Sequence, residues 1–346
     1  MKLATRDTFT TVAPEIERDR LGRPMVVPPG GGNPVPYTRC TTYVGGIEDT
    51  WNLSRWTQRM VILGMAGRDD LRAAVLDTDR EDKKRLDELC EEAKEAGGGN
   101  DAARIGTYMH QVTEAADTGQ DPDAVPFPLL AFARDPAEFK GDLDAYMKGT
   151  EHLQAVAVEQ FSVQDPLKIG GTPDRVVRYG GKHYIADLKT GNIEYGTLKI
   201  AAQLAVYARS TPYDVAKAER TTRPYDVDLE RGIIIHLPAG TGTCRLYWID
   251  LLAGWESVRV CRSIREQRTR RFGTLTEPFP MTEPVPSVPV EDGESFVPEP
   301  VIELAGRIKR CSNPHQVRAL WGKYPADAWT KDLIDLAKTH IASLTR

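Results

Sequence analysis

Two aspartates and a lysine near the middle of the chain have residue types and a spacing that could do chemistry. In the stretch GGTPDRVVRYGGKHYIADLKTGN, Asp174 lies in a turn, and Asp187 and Lys189 lie on the strand that follows. Because side chains alternate across a strand, Asp187 and Lys189 point to the same face. The Gly180-Gly181 pair predicts a tight hairpin, which brings Asp174 across from Asp187.

Two carboxylates and one ammonium on one face are the groups that metal-assisted hydrolysis of a phosphodiester requires. Carboxylate oxygens hold a hard cation such as Mg²⁺ or Mn²⁺, and the backbone carbonyl of Leu188 is a further oxygen ligand. The cation lowers the pKa of the attacking water and cancels charge on the phosphate. Lys189 could position or deprotonate that water. The alternative is a surface hairpin with an ordinary Asp–Lys ion pair, because D-x-K alone often arises by chance.

The elements predicted around this hairpin are helices followed by strands, with helices between the later strands. Hydrophobic periodicity and stop signals give helices, three strands, a helix, two strands and a last helix. That order is typical of an α/β sheet with helices on its faces. The predicted helices cover 53–64, 80–96, 104–117, 136–149, 197–210 and 253–272, and the predicted strands cover 155–163, 173–179, 183–189, 231–237 and 244–250.

Five short motifs follow one another along these elements, and the set is far more specific than any one of them. They are Gly106-x-x-x-His110, Glu159, Gly171-x-x-Asp174, Asp187-x-Lys189 and Gln203-x-x-x-Tyr207. Over residues 37–272 the chain resembles the RecB-like branch of the PD-(D/E)XK nucleases, which includes phage recombination exonucleases and CRISPR-associated exonucleases. The resemblance implies a restriction-endonuclease-like α/β fold, with a mixed central sheet flanked by helices, and a deoxyribonuclease that depends on Mg²⁺ or Mn²⁺.

The resemblance also implies a role for each motif. Gly106, one turn before His110, would leave room for the DNA backbone. Glu159 would be an outer or water-mediated partner of the metal, and the face of Gln203 and Tyr207 would orient the active site and touch DNA phosphates. The implied catalytic set is Asp174, Asp187, Lys189, Glu159, Gln203 and Tyr207, and the implied metal ligands are His110, Asp174, Asp187 and the Leu188 carbonyl.

Each outlying motif residue also has a plainer interpretation. His110 lies off the apolar stripe of its helix, so a solvent-exposed histidine is its alternative. Glu159 shares a predicted strand face with apolar residues, where an unpaired carboxylate is costly, and its alternative is a surface glutamate at a strand end. Gln203 and Tyr207 share a helix face with Lys199. The alternative there is the outward polar face of a helix packed on the sheet.

The last helix of the domain is predicted to carry a cationic face. On a helical projection four arginines fall in one arc, opposite Val260, Cys261 and Ile264. Such a face is suited to DNA phosphates, with Lys199 as a further contact. A merely solvated charged face is the alternative. The four arginines are Arg259, Arg262, Arg265 and Arg270.

Composition is that of a soluble globular protein without a membrane span. Of 346 residues, 40% are hydrophobic and 27% are charged, and the net charge of −5 does not decide whether DNA is the partner. The first residues lack the apolar core of a signal peptide, so we expect a cytoplasmic protein, in the host cell if it is phage-encoded. Five dispersed cysteines argue against a disulfide framework, and we predict no iron–sulfur cluster.

Proline and glycine density divides the chain into four predicted segments. Residues 1–36 form a Pro/Gly-rich extension, mobile or draped, before the nuclease domain at 37–272. Residues 273–300 have the composition of a Pro/acidic linker, and 301–346 form a small C-terminal helical module. The tethered position of that module suggests a role in binding a partner or DNA.

The leading hypothesis from the sequence is an exonuclease that resects DNA ends for recombination or replication. It would act beside a single-strand annealing protein or another recombination partner. One alternative is a structure-specific or nicking endonuclease with the same site. Another is a non-catalytic DNA-end-binding protein on a nuclease fold. The chemistry alone specifies only phosphodiester hydrolysis.

Overall fold

A computed structural model describes residues 15–270, 299–324 and 328–345. The chain divides into two compact units, Met1–Leu275 and Thr276–Arg346. Most of the predicted linker, residues 273–298, lies outside the described residues, and so do residues 1–14 of the predicted extension. None of the helices in the described ranges is long and apolar enough to cross a membrane.

The first unit holds two five-stranded sheets and a short two-stranded one. Its strands are β1 (Met25–Val26), β2 (Val35–Pro36), β3 (Thr38–Arg39), β4 (Gln154–Val158), β5 (Ser162–Gln164), β6 (Ile169–Gly171), β7 (Arg175–Tyr179), β8 (Lys182–Lys189), β9 (Thr211–Asp214), β10 (Glu219–Arg220), β11 (Arg231–His236) and β12 (Arg245–Asp250). Its helices are α1 (Cys40–Val44), α2 (Trp51–Ala66), α3 (Asp69–Asp77), α4 (Lys83–Ala96), α5 (Asp101–Thr118), α6 (Lys140–Gly149), α7 (Thr197–Ala208) and α8 (Leu251–Thr269).

The central sheet is mixed and lies between helices, which confirms the predicted fold class. Its order is β12-β11-β8-β7-β4, in which β8 and β11 run parallel and the other neighbours run antiparallel. Tyr179 pairs with Lys182 across a two-residue turn, and Gly180 and Gly181 adopt φ values of 56° and 79°. Positive φ at both turn positions is what a tight hairpin between twisted strands needs. The predicted hairpin is therefore present with the predicted register.

The alternation of side chains along β8 separates two cores. Ile185 packs with Leu204 of α7 and Val258 of α8 on one face. Ala186 and Leu188 pack on the other face, in a core that also contains Met109, Tyr146 and Ile235. Asp187 and Lys189 share the face of Ile185 by the strand's period of two. Asp187 is still buried there, and Lys189, the last residue of β8, is partly exposed.

The predicted strand at 155–163 is wrong, because the chain leaves the central sheet before Glu159. β4 ends at Val158, which pairs with Arg175, and β5 begins at Ser162 in a different sheet. Glu159 has φ 47°, a left-handed conformation that interrupts an extended strand. Glu159 therefore does not share a strand face with Phe161, as the sequence pattern predicted.

The second five-stranded sheet, of order β10-β9-β5-β6-β3, was not predicted from the sequence. Its strands have two to four residues each, too short for periodicity to identify. Residues 15–36 contribute β1 and β2 beside it and bury Ile16 and Val26 against Tyr37 and Phe161. This part of the Pro/Gly-rich segment is thus packed on the nuclease domain.

Helices α2 and α4 pack closely because glycines line their contact. A Cβ at Gly64 of α2 would overlap the carbonyl oxygen of Ala93, and one at Gly97 would overlap that of Met60. Gly97 also follows the last residue of α4, as the predicted stop signal requires. The contact connects α2 to the segment that leads into α5.

The second unit consists of α9 (Glu299–Arg310), α10 (Pro314–Lys323) and α11 (Lys331–Leu344). The side chain of Asn313 accepts a hydrogen bond from the Gln316 N–H and caps α10, as its position before proline predicts. Trp321 stacks on Trp329 with ring centroids 4.0 Å apart. The buried residues of this small core are Leu304, Ile308, Val317, Trp329, Leu333 and Ala337.

A buried guanidinium connects β7 to α5 and α6. Arg175 is only 2% exposed, and it donates hydrogen bonds to the carboxylate of Asp117 (2.6 Å) and the hydroxyl of Thr113 (2.7 Å). The hydroxyl of Tyr146 donates to the same carboxylate at 2.5 Å, and its ring lies 5.3 Å from the guanidinium carbon. A buried charge is tolerated only when it is paired and hydrogen-bonded, as here.

We expect Arg175→Met to lower the free energy of unfolding by about 3–5 kcal/mol, because it leaves the Asp117 carboxylate buried without its cation. Arg178→Met is the matched control, because Arg178 is exposed on the same strand and should change stability by no more than about 0.5 kcal/mol. Urea unfolding followed by circular dichroism measures both. Equal stability of the two variants would show that Arg175 does not hold the sheet to α5.

Candidate active site

The turn before β7, the C-terminal end of β8 and the middle of α5 come together at one place. Asp174 precedes β7, and its Oδ2 accepts a hydrogen bond of 2.7 Å from the backbone N–H of Leu188. This bond fastens the turn before β7 to β8. His110 of α5 points its Nδ1 at the same oxygen from 3.5 Å. The predicted convergence of Asp174 with the Asp187-x-Lys189 strand is therefore found, and His110 joins it.

Asp187 is buried, and its only charged neighbour at ion-pair distance is Lys189, among the described residues. The Nζ of Lys189 lies 2.5 Å from Oδ2 of Asp187. That contact is an ion pair without hydrogen-bond geometry, so the buried Oδ2 accepts no hydrogen bond from the described residues. Burial, together with repulsion from Asp174, raises the pKa of Asp187 to about 6. Oδ2 of Asp187 is therefore a buried carboxylate oxygen that could coordinate a cation.

Burial also disfavours the charged form of Asp174. Burial raises its pKa, although the charges of Arg175 and Lys189 oppose the rise. Two carboxylates so placed disfavour one another's charged form. A bound cation would remove that penalty.

Glu159 is held at the site by an unusual backbone conformation. At φ 47° it is one of three described non-glycine residues with positive φ, and its N–H donates to the carbonyl of Asp174 at 3.0 Å. Such a conformation costs on the order of 1 kcal/mol or more and persists where the surroundings impose it. It brings one carboxylate oxygen of Glu159 and ligand atoms of His110 and Asp174 all within 4.8 Å of one another. Burial, with repulsion from Asp174, raises the pKa of Glu159 to about 8.

His110 presents a neutral imidazole at physiological pH. Burial, followed by the nearby charge of Arg175, lowers its pKa to about 4. A neutral ring nitrogen is a metal ligand, whereas an imidazolium is not. Gly106, one turn earlier, does not open a space for DNA as predicted, because the hydroxyl of Thr190 lies 3.1 Å from where a Cβ would stand. The glycine instead permits close packing of α5 against the end of β8.

Two residues near this cluster were missed by the sequence analysis. Glu114 lies one turn after His110, and burial followed by Asp174 repulsion raises its pKa despite Arg175. Arg175 follows Asp174 directly, and its charge acts on both Asp174 and His110. The i, i+4 spacing from His110 could have identified Glu114. Arg175 left only a weak signal, an arginine that opens a strand of otherwise buried valines.

Gln203 and Tyr207 lie on α7, beneath the cluster rather than on the surface. Tyr207 is 4% exposed, and burial raises its pKa well above its usual range. A Cβ at Gly171 would stand 2.9 Å from the Tyr207 hydroxyl. The prediction that Tyr207 touches DNA phosphates is therefore wrong, because the ring is enclosed by its own domain. Lys199, on the same helix, forms an ion pair with Glu48 at 2.7 Å.

The predicted cationic face of α8 is rotated relative to the prediction. The buried positions of α8 include Gly254, Val258 and Cys261, and Val260, which was placed on the buried side, is 52% exposed. A Cβ at Gly254 would overlap the carbonyl oxygen of Ala201, so this glycine fixes which side of α8 faces α7. The projection had no means of identifying that contact.

Most arginines of this face are already partnered within the domain. Arg259 pairs with Glu256 and Arg262 pairs with Glu266, at 2.9 and 2.8 Å. Arg265 donates to the Thr38 hydroxyl and lies over the ring of Tyr43. Arg270 stands just beyond the last residue of α8. DNA contact by these four arginines stays a prediction.

The donor set of the cluster fits a divalent cation. It offers carboxylate oxygens of Asp174, Glu159 and Asp187, one of them buried without a hydrogen bond, and a neutral imidazole of His110. The carboxylate oxygens suit Mg²⁺ and Mn²⁺, and the neutral imidazole is a further available ligand. The ammonium group of Lys189 lies beside these donors, 2.5 Å from Oδ2 of Asp187.

We expect the contribution of Glu159 to the stability of the metal-free domain to become less favourable as pH rises from about 4.5 to 8, because folded Glu159 holds a proton that the unfolded chain releases. Each pKa unit corresponds to about 1.4 kcal/mol. Glu159→Gln should remove this pH-dependent contribution. In EDTA, the free energy of unfolding of the variant minus that of wild type should therefore increase through that pH range. Unfolding curves between pH 4.5 and 8.5 measure it, with exposed Glu194→Gln as the control. A constant difference between wild type and Glu159→Gln would contradict the expectation.

One of two comparisons with known proteins found a match, and that match agrees with this geometry. No curated protein matches the chain. A family model described as the PD-(D/E)XK nuclease superfamily matches residues 83–210. The matched range contains the cluster and the residues beneath it: His110, Glu114, Glu159, Asp174, Asp187, Lys189, Gln203 and Tyr207. The part of the chain that builds this site is therefore similar to the PD-(D/E)XK nuclease superfamily, which supports a nuclease.

Proposed function

We propose that this protein is a metal-dependent deoxyribonuclease that hydrolyses phosphodiester bonds at the cluster of Asp174, Asp187 and Lys189. The observation that carries the proposal is the crowding of three carboxylates whose charge Lys189 and Arg175 offset only in part. Glu159 and Asp174 lie with His110 inside 4.8 Å, and the buried Oδ2 of Asp187 accepts no hydrogen bond from the described residues. The match of residues 83–210 to the nuclease superfamily supports DNA as the anionic partner.

In this proposal the carboxylates of Asp174 and Asp187 and the imidazole of His110 hold a divalent cation, with the Leu188 carbonyl as a further ligand. When bound, Mg²⁺ or Mn²⁺ would neutralise phosphate charge and lower the pKa of the attacking water. Glu159 lies against the same donors and would hold a water by hydrogen bonding. The ion pair of Lys189 with Asp187 and the close approach of the neutral His110 ring to Asp174 hold these side chains in place before DNA arrives.

Lys189 has two tasks in the proposed reaction. Its ammonium lies 2.5 Å from Asp187 and 29% of its side chain is exposed, so it can reach both the carboxylate and an incoming phosphate. It would orient the attacking water and stabilise the negative charge that develops on the phosphate. Gln203 and Tyr207 would act from beneath, by fixing the position of α7 against the strand ends.

The mode of action that we propose is exonucleolytic resection of DNA ends for recombination or replication, as in the RecB-like branch. The support is the order of the five motifs, from Gly106-x-x-x-His110 to Gln203-x-x-x-Tyr207, along one domain. A single-strand annealing protein, acting on the exposed strand, is the partner that such an activity would serve. The proposed setting is the cytoplasm, in a phage-infected host if the chain is phage-encoded.

We expect purified protein to degrade end-labelled linear DNA with Mg²⁺ or Mn²⁺ but not with EDTA. Asp187→Ala should lower the rate at least about 100-fold, because a proposed ligand of the divalent cation is lost. Exposed Asp226→Ala is the control and should keep the wild-type rate. A gel time course on linear DNA measures all of these.

Equal degradation by wild type and Asp187→Ala would refute the proposed site. Covalently closed circular DNA tests the mode of action on the same gel. An exonuclease leaves circles intact, whereas cutting of circles by wild type but not by Asp187→Ala would keep the site and replace the exonuclease with an endonuclease.

A further inference from the structure

The helix α2 (Trp51–Ala66) has an outer face that the described part of the domain does not cover. Trp51, Arg55, Arg59 and Ile62 recur at intervals of three and four residues, so they form one stripe along the helix. Trp51 is 68% exposed and Ile62 is 67% exposed. The opposite side, with Gly64, packs on α4. Exposed apolar side chains that recur on one helix face are a feature of interaction surfaces.

The charge of α2 is of one sign. Its sixteen residues, WNLSRWTQRMVILGMA, include two arginines and no aspartate or glutamate. Arg55 makes a side-chain hydrogen bond only to Gln58, at 3.3 Å, and neither arginine pairs with a carboxylate in the described ranges. This differs from α8, where Arg259 and Arg262 each have a glutamate. The free guanidinium groups of α2 are thus available to an anion.

The position of α2 connects this stripe to the rim of the proposed active site. Glu48, three residues before Trp51, accepts hydrogen bonds of 2.8 and 2.7 Å from the ammonium of Lys199. Lys199 lies in the first turn of α7, the helix that carries Gln203 and follows the loop after Lys189. The N-terminal end of α2 is therefore held beside the loop that leaves the catalytic strand.

We propose that the α2 stripe binds the single-stranded part of the DNA on which the nuclease acts. Unpaired bases stack on exposed aromatic rings, whereas the bases of a duplex are stacked on each other and leave only phosphates to contact. A tryptophan followed at one-turn intervals by two unpaired guanidinium groups supplies both a stacking ring and charges for the backbone. The alternating composition fits a polyanion with aromatic bases better than an apolar protein surface. The inference rests on the proposed nuclease function and specifies its substrate.

The test is binding of fluorescent (dT)20 and of a 20-base-pair duplex to the full chain, measured by anisotropy with Ca²⁺ in place of Mg²⁺. Trp51→Ala should weaken (dT)20 binding by roughly 5- to 100-fold, the range for one stacked base, and should leave duplex binding within about twofold. Trp51→Phe keeps a ring and should retain most of the affinity. The double variant Arg55→Ala/Arg59→Ala should weaken (dT)20 binding and reduce its salt dependence.

The controls are Tyr247→Ala and Arg245→Ala, which remove an exposed ring and an exposed guanidinium from β12. They should not change (dT)20 binding. Equal loss for Trp51→Phe and Trp51→Ala, equal loss for duplex and single strand, or no loss in the α2 variants would overturn the proposal. In the last case a protein partner would be the occupant of the stripe.

Hydrolysis of bis(p-nitrophenyl) phosphate separates this proposal from the nuclease proposal itself. That small diester needs the carboxylate cluster and not α2, so Trp51→Ala and the double arginine variant should hydrolyse it at the wild-type rate. Absence of hydrolysis by wild type would count against the proposed function, whatever the anisotropy shows. Normal hydrolysis with unchanged (dT)20 affinity in the variants would overturn the α2 inference alone.

Discussion

The mutual repulsion of buried carboxylates at the end of β8 is the constraint that the rest of the domain is built around. Asp187 is buried and Asp174 is partly buried. Asp174 raises the cost of charging Asp187, and both raise the cost of charging Glu159. Glu159 adds a third carboxyl group, whose pKa is raised to about 8. Lys189 and Arg175 offset only part of this charge. This repulsion destabilises the metal-free folded state, and a divalent cation that binds the cluster would remove it and stabilise the fold.

The scaffold imposes this arrangement from several directions. The Gly180-Gly181 hairpin sets β7 beside β8, and the hydrogen bond from Leu188 fixes Asp174 in place. Arg175 anchors the same strand to α5 through Asp117, so His110 is held at the end of the hairpin. No single element is sufficient to form the site. The left-handed backbone of Glu159 is unfavourable by itself, and the interactions of this surrounding structure offset that free energy.

The sequence was enough to predict the parts of the site that depend on local geometry. A period of two placed Asp187 and Lys189 on one face, and a glycine pair specified the hairpin. The sequence was not enough where the outcome depends on tertiary contact. Glu159 was assigned to a strand because its neighbours are apolar, whereas the strand ends before it.

The same limit explains the errors on the helices. Gly106 and Gly254 each pack against a neighbouring element, and such contacts leave no periodic signal in the chain. The rotation of α8 follows from Gly254, and the internal pairing of its arginines follows from glutamates three or four residues away. Arg175 was missed because a buried arginine is recognisable only once Asp117 and Tyr146 are known to lie over it.

Calorimetric titration of the metal-free protein with Mg²⁺ and with Mn²⁺ tests the central claim most directly. The account predicts saturable binding to wild type, and binding at least about tenfold weaker to Asp174→Asn, whose amide oxygen can still accept the Leu188 hydrogen bond but carries no charge. Asp226→Asn should bind like wild type. Equal binding by wild type and Asp174→Asn, or no binding by either, would contradict the claim that these carboxylates are held together to bind a cation.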